Sequence, residues 1–173
     1  MKTNITDVLT IENMTTERQI HPELHEFRSK LGSFPLTGIA PFTLHFENRE
    51  NKRLHILGET DVTAAVPCDR CLEDVPVLIH LAIERIIPIG ETDGEDEAED
   101  IGFLAGTWLD ADRLIHDQIL ENWPMKVLCS EDCKGICKKC GTNLNHGSCL
   151  CDRTEPDPRM AAIQDIFNQF KEV

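Results

Sequence analysis

No stretch of this 173-residue sequence approaches the ~20 consecutive apolar residues that a membrane-spanning helix requires. The opening residues, MKTNITDVLTIENMTTE, hold no continuous apolar run and no small-residue cleavage site, so no secretory signal is expected. Both absences point to a cytoplasmic protein without a membrane partner, in a compartment where thiols stay reduced. Also missing are G-x-S-x-G, H-E-x-x-H, a P-loop and a dinucleotide fingerprint. The chain is therefore expected to be neither an enzyme nor a binder of a small-molecule substrate. No internal repeat occurs beyond a recurring C-x-x-C. Cations are scarce: 17 Lys and Arg stand against 31 Asp and Glu, for a formal charge of −14. A uniformly acidic surface repels phosphate backbones, which argues against broad nucleic-acid contact. Seven of the acids fall in ETDGEDEAED (Glu91–Asp100). That run reads either as a solvated loop or as a docking strip for a basic protein.

What is plentiful is cysteine. Six of the eight lie in CSEDCKGICKKCGTNLNHGSCLC (Cys129–Cys151), and the other two in CDRC (Cys68–Cys71). In a reducing compartment such clusters bind metal or do redox work rather than form disulfides.

The length and 40% hydrophobic content suit one domain, or one domain plus a small appendage. Residues 1–35, of mixed polarity, end at the breaker GSFP (Gly32–Pro35) and fix no fold. A short strand around Asp7–Ile11 and a helical turn near Pro22–Lys30 are compatible with them. Residues 36–124 read as a β-rich core with a helix. Phe42, Leu44 and Phe46 alternate, RLHILGETDVTAAVP continues with β-branched residues, and VPVLIHLAIERIIPI reads as a returning strand. The pair makes a hairpin with Cys68 and Cys71 at its tip. In TWLDADRLIHDQILENWP, Asp110 is the candidate N-cap, Leu114, Ile115, Gln118 and Ile119 share a helical face, and Pro124 is the stop. Residues 125–173 form a cysteine-rich module closed by a helix, with Asp157 as cap and Pro158 at its first position. Its stripe of Met160, Ile163, Phe167 and Phe170 is expected to be core. The expected class is α+β: a small antiparallel sheet or partial barrel, flanking helices and a C-terminal zinc-ribbon-like module.

Cys137-Lys138-Lys139-Cys140-Gly141 has the pattern of a zinc knuckle, in which two thiolates two residues apart reach one tetrahedral ion. The glycine permits the positive φ that turns backbone N–H groups toward sulfur. Cys149 and Cys151 follow across TNLNHGS, a tract of turn-formers. Cys68 with Cys71 is a second knuckle, and Cys129 with Cys133 a further pair. Two Cys₄ sites are expected: Cys68, Cys71, Cys129 and Cys133 in one, Cys137, Cys140, Cys149 and Cys151 in the other. His146 is either a replacement ligand in the second or a turn residue in water. Rival chemistries fit less well. Cys133-x₃-Cys137-x₂-Cys140 has radical-SAM spacing, but Lys139 stands where an aromatic is usual, and the chain is too short for the associated barrel. A thioredoxin-like dithiol needs a βαβ context, whereas CDRC lies between two strands. Four thiolates leave no open coordination position, so the zinc, one ion or two, is structural. It would replace the core that 23 turn-rich residues cannot build, contributing roughly 10–16 kcal/mol per site. A small basic edge, Lys126, Lys134, Lys138 and Lys139, with Arg153 and Arg159 near in sequence, borders this module and is diluted by Glu131 and Asp132. Lys134, Lys138, Lys139 and Arg70 are candidate RNA contacts; Arg70 is otherwise an exposed turn residue.

The ordered succession PCDRCL (Pro67–Leu72), WPMKVLCSEDCKGICKKCGTNLN (Trp123–Asn145), C-x-C and DPRMAAI (Asp157–Ile163) resembles the YceD family of large ribosomal RNA subunit accumulation proteins. The resemblance implies a non-enzymatic factor for accumulation of 23S ribosomal RNA and assembly of the 50S subunit. Its implied partner is a large-subunit ribosomal protein, a pre-50S particle or the ribosomal RNA itself. Family members lacking the C-terminal cysteines imply that the second site is an accessory. The competing expectation is a zinc-stapled protein–protein adapter with no ribosomal role.

Overall fold

The computed structural model describes residues 1–50, 53–89, 102–151 and, beyond them, Ile163, Ile166 and Phe167. The acidic run Glu91–Asp100 lies outside the described residues, as do Asp157, Pro158, Met160 and Phe170. The chain opens with β1 (Lys2–Asn4), α1 (Thr6–Thr10) and β2 (Thr15–Ile20). A small hairpin follows, β3 (Glu26–Ser29) and β4 (Gly32–Ile39), and then β5 (Phe42–Arg49). The two longest strands are β6 (Arg53–Pro67) and β7 (Asp74–Pro88). β8 (Leu104–Ala105), β9 (Trp108–Asp110) and α2 (Ala111–Glu121) complete the regular structure.

β6 organises the main sheet. Along one side it pairs with β7 without a break, from Arg53↔Pro88 to Pro67↔Asp74. Its other side is shared: β5 pairs with Arg53–Leu57, and β4 with Val62–Ala64. β2 extends the sheet beyond β5, and β3 extends it beyond β4. All these pairings are antiparallel, and the path of strands does not return on itself, so the sheet is open rather than a closed barrel. β1, β9 and β8 form a separate three-stranded sheet.

The period-2 pattern read from the sequence sets the inward face. Phe42, Leu44 and Phe46 of β5, Leu54, Ile56 and Val62 of β6, and Ile79, Leu81 and Ile83 of β7 are all buried in one core. α2 joins it through Leu114, Ile115 and Ile119. Asp110 caps α2 as expected, its carboxylate accepting the Arg113 N–H at 3.3 Å. The helix ends before Pro124, because the N–H of Asn122 and its Nδ2 both donate to the Gln118 carbonyl, at 3.1 and 2.9 Å. No described helix is long and apolar enough to cross a membrane.

Residues 1–35 depart from expectation in two places. Asp7–Ile11 is not a strand: Asn4 Oδ1 accepts the Thr6 N–H at 2.9 Å, and this local bond starts the turn of α1. Val8 is then buried in the core, and Asn48, itself fully buried, donates to the Val8 carbonyl at 2.8 Å. The expected helical turn in Pro22–Lys30 is strand β3, paired with β4 across Lys30 and Leu31. The reason is tertiary, since Phe27 is completely buried and stacks on Trp123 with ring centroids 4.8 Å apart. GSFP is accordingly the start of β4, not a break. A further correction concerns the C-terminal stripe. Ile163 and Phe167 are helical, as expected, but 57% and 61% exposed, so these two are not core.

Gly58 lies where the partner of β6 changes. A Cβ there would stand 2.7 Å from Leu44 Cδ2 and 3.0 Å from the Thr43 carbonyl oxygen. Gly58→Ala should therefore destabilise the sheet by about 1–3 kcal/mol. Denaturant unfolding measures it, and an unchanged midpoint would show that the sheet yields freely at this position.

Candidate metal centres

The first centre begins at the tip of the β6–β7 hairpin. The Cys68 N–H donates to the Glu73 carbonyl at 2.8 Å, and the Leu72 N–H donates to the Cys68 carbonyl at 2.9 Å. This tight turn holds Leu72 at φ 63°, and it buries both cysteines of CDRC. The chain returns to the tip after α2. Trp123 stacks on Phe27 at 4.8 Å and packs tilted against Phe34 at 4.7 Å, and the following residues run beside the turn. A reciprocal pair fixes their register: the Asp69 N–H donates to the Val127 carbonyl at 2.9 Å, and the Val127 N–H donates to Asp69 Oδ2 at 2.8 Å. Cys129 and Cys133 are thereby carried onto Cys68 and Cys71.

The resulting sulfurs stand 3.8 Å apart for Cys68 and Cys133 and 3.5 Å apart for Cys71 and Cys129. All four lie within 4.8 Å of one another. Cys137, Cys140, Cys149 and Cys151 form a second quartet within the same limit. The structure thus groups the eight cysteines in the two sets expected from the sequence. In the second, the Cys137 N–H donates to the Thr142 carbonyl at 2.9 Å, and the Gly141 N–H donates to the Cys137 carbonyl at 2.8 Å. Gly141, at φ 73°, occupies the place in its knuckle that Leu72 occupies in the first. A tetrahedral ion bound at about 2.3 Å by four sulfurs sets them roughly 3.8 Å apart. Both quartets could hold a metal ion.

Their electrostatics agree with that geometry. Burial pushes the Cys68 thiol up, but the backbone N–H groups of Arg70, Cys71 and Cys129 outweigh it and bring the pKa down to about 6. Cys71 moves the other way. The Glu73 N–H favours its thiolate, yet burial and the sulfurs of Cys68, Cys129 and Cys133 together raise it to about 12. In the second quartet the Thr142 hydroxyl, 3.1 Å from Cys140 Sγ, and the Thr142 N–H bring Cys140 to about 6. Cys140 in turn, with burial, raises Cys151 to about 12. Each quartet thus sets a thiol whose pKa is lowered beside one whose pKa is raised by the neighbouring sulfur. A dication between them removes the conflict and lets all four bind as thiolates.

The surrounding residues have definite places. His146 is not turned to the sulfurs: its Nε2 lies 2.6 Å from Glu73 Oε1, linking the second loop to the hairpin tip. The Arg70 guanidinium donates to the carbonyls of Cys133, at 3.0 Å, and Glu131, at 3.4 Å, so it braces the two halves of the first centre. Lys126, Lys134, Lys138 and Lys139 are exposed. Arg153 and Arg159 lie outside the described residues.

Two contributors escape a reading of spacing. Asn145 accepts the Lys134 N–H on Oδ1 at 2.8 Å and donates from Nδ2 to Cys133 Sγ at 3.3 Å. In the sequence it is one turn-former among several. Gly135, at φ 73°, lies so close to the first knuckle that a Cβ would stand 2.8 Å from the Arg70 carbonyl oxygen. That oxygen also accepts the Ile136 N–H at 3.0 Å.

The two glycines of the module give a paired prediction. Gly141→Ala meets no atom within 4 Å and should cost only the left-handed backbone penalty, about 1–2 kcal/mol. Gly135→Ala carries that penalty and also pushes the segment away from Arg70, so it should cost clearly more. Thermal unfolding of the two variants makes the comparison, and equal destabilisation would show that the Gly135–Arg70 approach is slack.

The sequence pattern of the family described as large ribosomal RNA subunit accumulation protein YceD matches residues 56–167, which contain both quartets. One curated relative is the large ribosomal RNA subunit accumulation protein YCED homolog 1, chloroplastic, of Arabidopsis thaliana. It is 26% identical over 152 residues, covering 72% of this chain and 47% of that protein. The uncharacterized protein YlbN of Bacillus subtilis is 28% identical over 108 residues, covering 62% of each. This chain thus spans between about half and three fifths of the length of these two relatives. No solved structure gives a significant match. With about two thirds of its residues aligned to the family pattern, and both C-x-x-C knuckles inside that region, the chain belongs to the YceD family.

Proposed function

We propose that this chain is a non-enzymatic factor of large-subunit assembly, stapled by two structural zinc ions and acting in a reducing compartment such as the cytoplasm. It supports 23S ribosomal RNA accumulation by binding a ribosomal protein or pre-ribosomal RNA on a pre-50S particle. The observation that carries this reading is the pair of four-sulfur sites, built on the region that matches the family pattern. Zinc suits them best among common ions, since it is held by four thiolates at tetrahedral spacing, as in a short zinc ribbon. Four protein ligands leave no position for a water or substrate, so the ions fold the chain rather than carry out chemistry.

Between the two partner classes, charge favours a protein. A formal −14 makes broad phosphate contact costly, whereas it steers a basic ribosomal protein toward the surface. The lysines beside the second quartet supply the RNA alternative.

Elemental analysis of the purified protein should find two zinc ions per chain. Chelation should abolish order in residues 129–151 while the β6–β7 sheet survives in part. Acid should act in the same direction: protons compete for thiolates whose pKa is near 6 at Cys68 and Cys140. Zinc should accordingly be retained at neutral pH and released as the pH falls. A metal-free protein with an equally ordered cysteine segment would overturn the zinc reading.

The ribosomal role is tested by sedimentation, where the protein should travel with pre-50S particles; absence from them would favour an adapter elsewhere. Salt-dependent binding to those particles then separates the partners. Neutralising Glu91–Asp100 should weaken binding and flatten its salt dependence if a basic protein is held. Replacing Lys134, Lys138 and Lys139 should instead lower the log–log salt slope by about one for each phosphate no longer neutralised, if RNA is held.

A further inference from the structure

We infer that the two cysteine quartets are energetically coupled, and that Asn145 is the positioning residue through which a cation at Cys68, Cys71, Cys129 and Cys133 helps to assemble the second site. This rests on the metal reading above and goes beyond it.

The two quartets differ in what holds them. The first sits on regular structure, between the hairpin tip and the Asp69–Val127 pair, with Cys68, Cys71 and Cys133 no more than 4% exposed. The second lies on residues 137–151, where among the described residues the single bridge Ile136↔Asn143 is the extent of strand pairing. Cys140 is exposed, and Cys149 and Cys151 are half-buried. Such a loop must give up considerable backbone entropy to bring four sulfurs together.

Part of that ordering comes from the first centre. The Ile136 N–H donates to the Arg70 carbonyl, and the Leu144 N–H donates to the Gly135 carbonyl at 2.8 Å. Asn145 completes the attachment, and it reaches a ligand atom. Its Oδ1 is fixed by the Lys134 N–H, which aims Nδ2 at Cys133 Sγ. A sulfur bound to a cation is a stationary and charged acceptor, and hydrogen bonds to such acceptors are the stronger kind. Once Asn145 is held, the adjoining Thr142–Leu144 stretch is held too. That stretch supplies the carbonyl for Cys137 N–H and the hydroxyl beside Cys140 Sγ. Occupation of the first centre thus lowers the ordering cost of the second. Linkage requires the converse by the same factor.

Asn145 also donates its own N–H to Asn143 Oδ1 at 2.9 Å, a purely local turn contact. Asn145→Leu keeps that backbone contact, and a side chain needed only to brace its loop through the Lys134 N–H would affect the second quartet whether or not the first were intact. The two roles therefore separate in a double-mutant cycle.

The experiment titrates metal-free, full-length protein with Zn²⁺ alone and counts bound ions by native mass spectrometry. Disabling the first centre with Cys68→Ser and Cys71→Ser should weaken zinc at the second by about 10–100-fold. Asn145→Leu in the otherwise intact chain should cause a weakening of similar size, and adding it to the Cys68/Cys71 variant should cause little more. Additive effects, or an unchanged second site, would overturn the coupling. Should the Cys68/Cys71 variant fail to fold, the reciprocal arm decides, because Cys149→Ser leaves the hairpin intact. It should weaken the first centre, and Asn145→Leu should add little to that effect; an unaffected first centre overturns the inference. Wild-type protein that takes up no zinc removes the metal reading itself, an outcome distinct from two ions bound independently.

Discussion

The antiparallel ladder between β6 and β7 is the constraint from which the rest follows. With fifteen residue pairs in unbroken register, it sets which side chains face the core and where the chain turns. A one-residue slip would exchange the buried Ile79, Leu81 and Ile83 for their exposed neighbours and would also displace the CDRC turn. The same pairing therefore specifies an apolar face along the sheet and a pair of thiols at its end. Core formation and the placement of the first thiol pair are parts of one register.

The rest of the site is delivered to that tip by packing. Phe27 and Phe34, from the β3–β4 hairpin, grip Trp123, and this aromatic contact directs the chain leaving α2 back along the sheet. Asp69 and Val127 then set the final register, and Arg70 reaches across to the Cys133 and Glu131 carbonyls. Residues from the first quarter of the chain thus influence a cysteine quartet to which they contribute no sulfur. Two knuckles with the same backbone turn, one ending in Gly141 and the other in Leu72, make a shared demand for positive φ at the residue after the second cysteine. At Leu72 that demand outweighs the side chain's aversion to positive φ.

Local signals were sufficient for much of this. Alternation marked β5, β6 and β7, Asp110 marked the start of α2, and paired cysteines with short intervals marked the two quartets, because each is a matter of period, capping or spacing within a few residues. The β character of Glu26–Ser29 was not available locally, since it depends on Phe27 finding Trp123 far along the chain. Nor was the helix at Thr6–Thr10, which an Asn4 side chain starts and the burial of Val8 retains. At Ile163 and Phe167 the period of the C-terminal stripe was convincing, but periodicity states only which residues share a face, not whether that face is buried.

Residue types and their spacing thus sufficed for the kind of chemistry, thiols in pairs on an acidic chain, and for the strands that could present them. Tertiary structure alone decided the residues that support the sulfurs. Asn145 meets Cys133, Gly135 meets Arg70, and His146 turns away from the sulfurs to Glu73. Such contacts join positions whose side chains carry no shared period. They exist only once the hairpin and the returning chain have been brought within a few ångströms of each other.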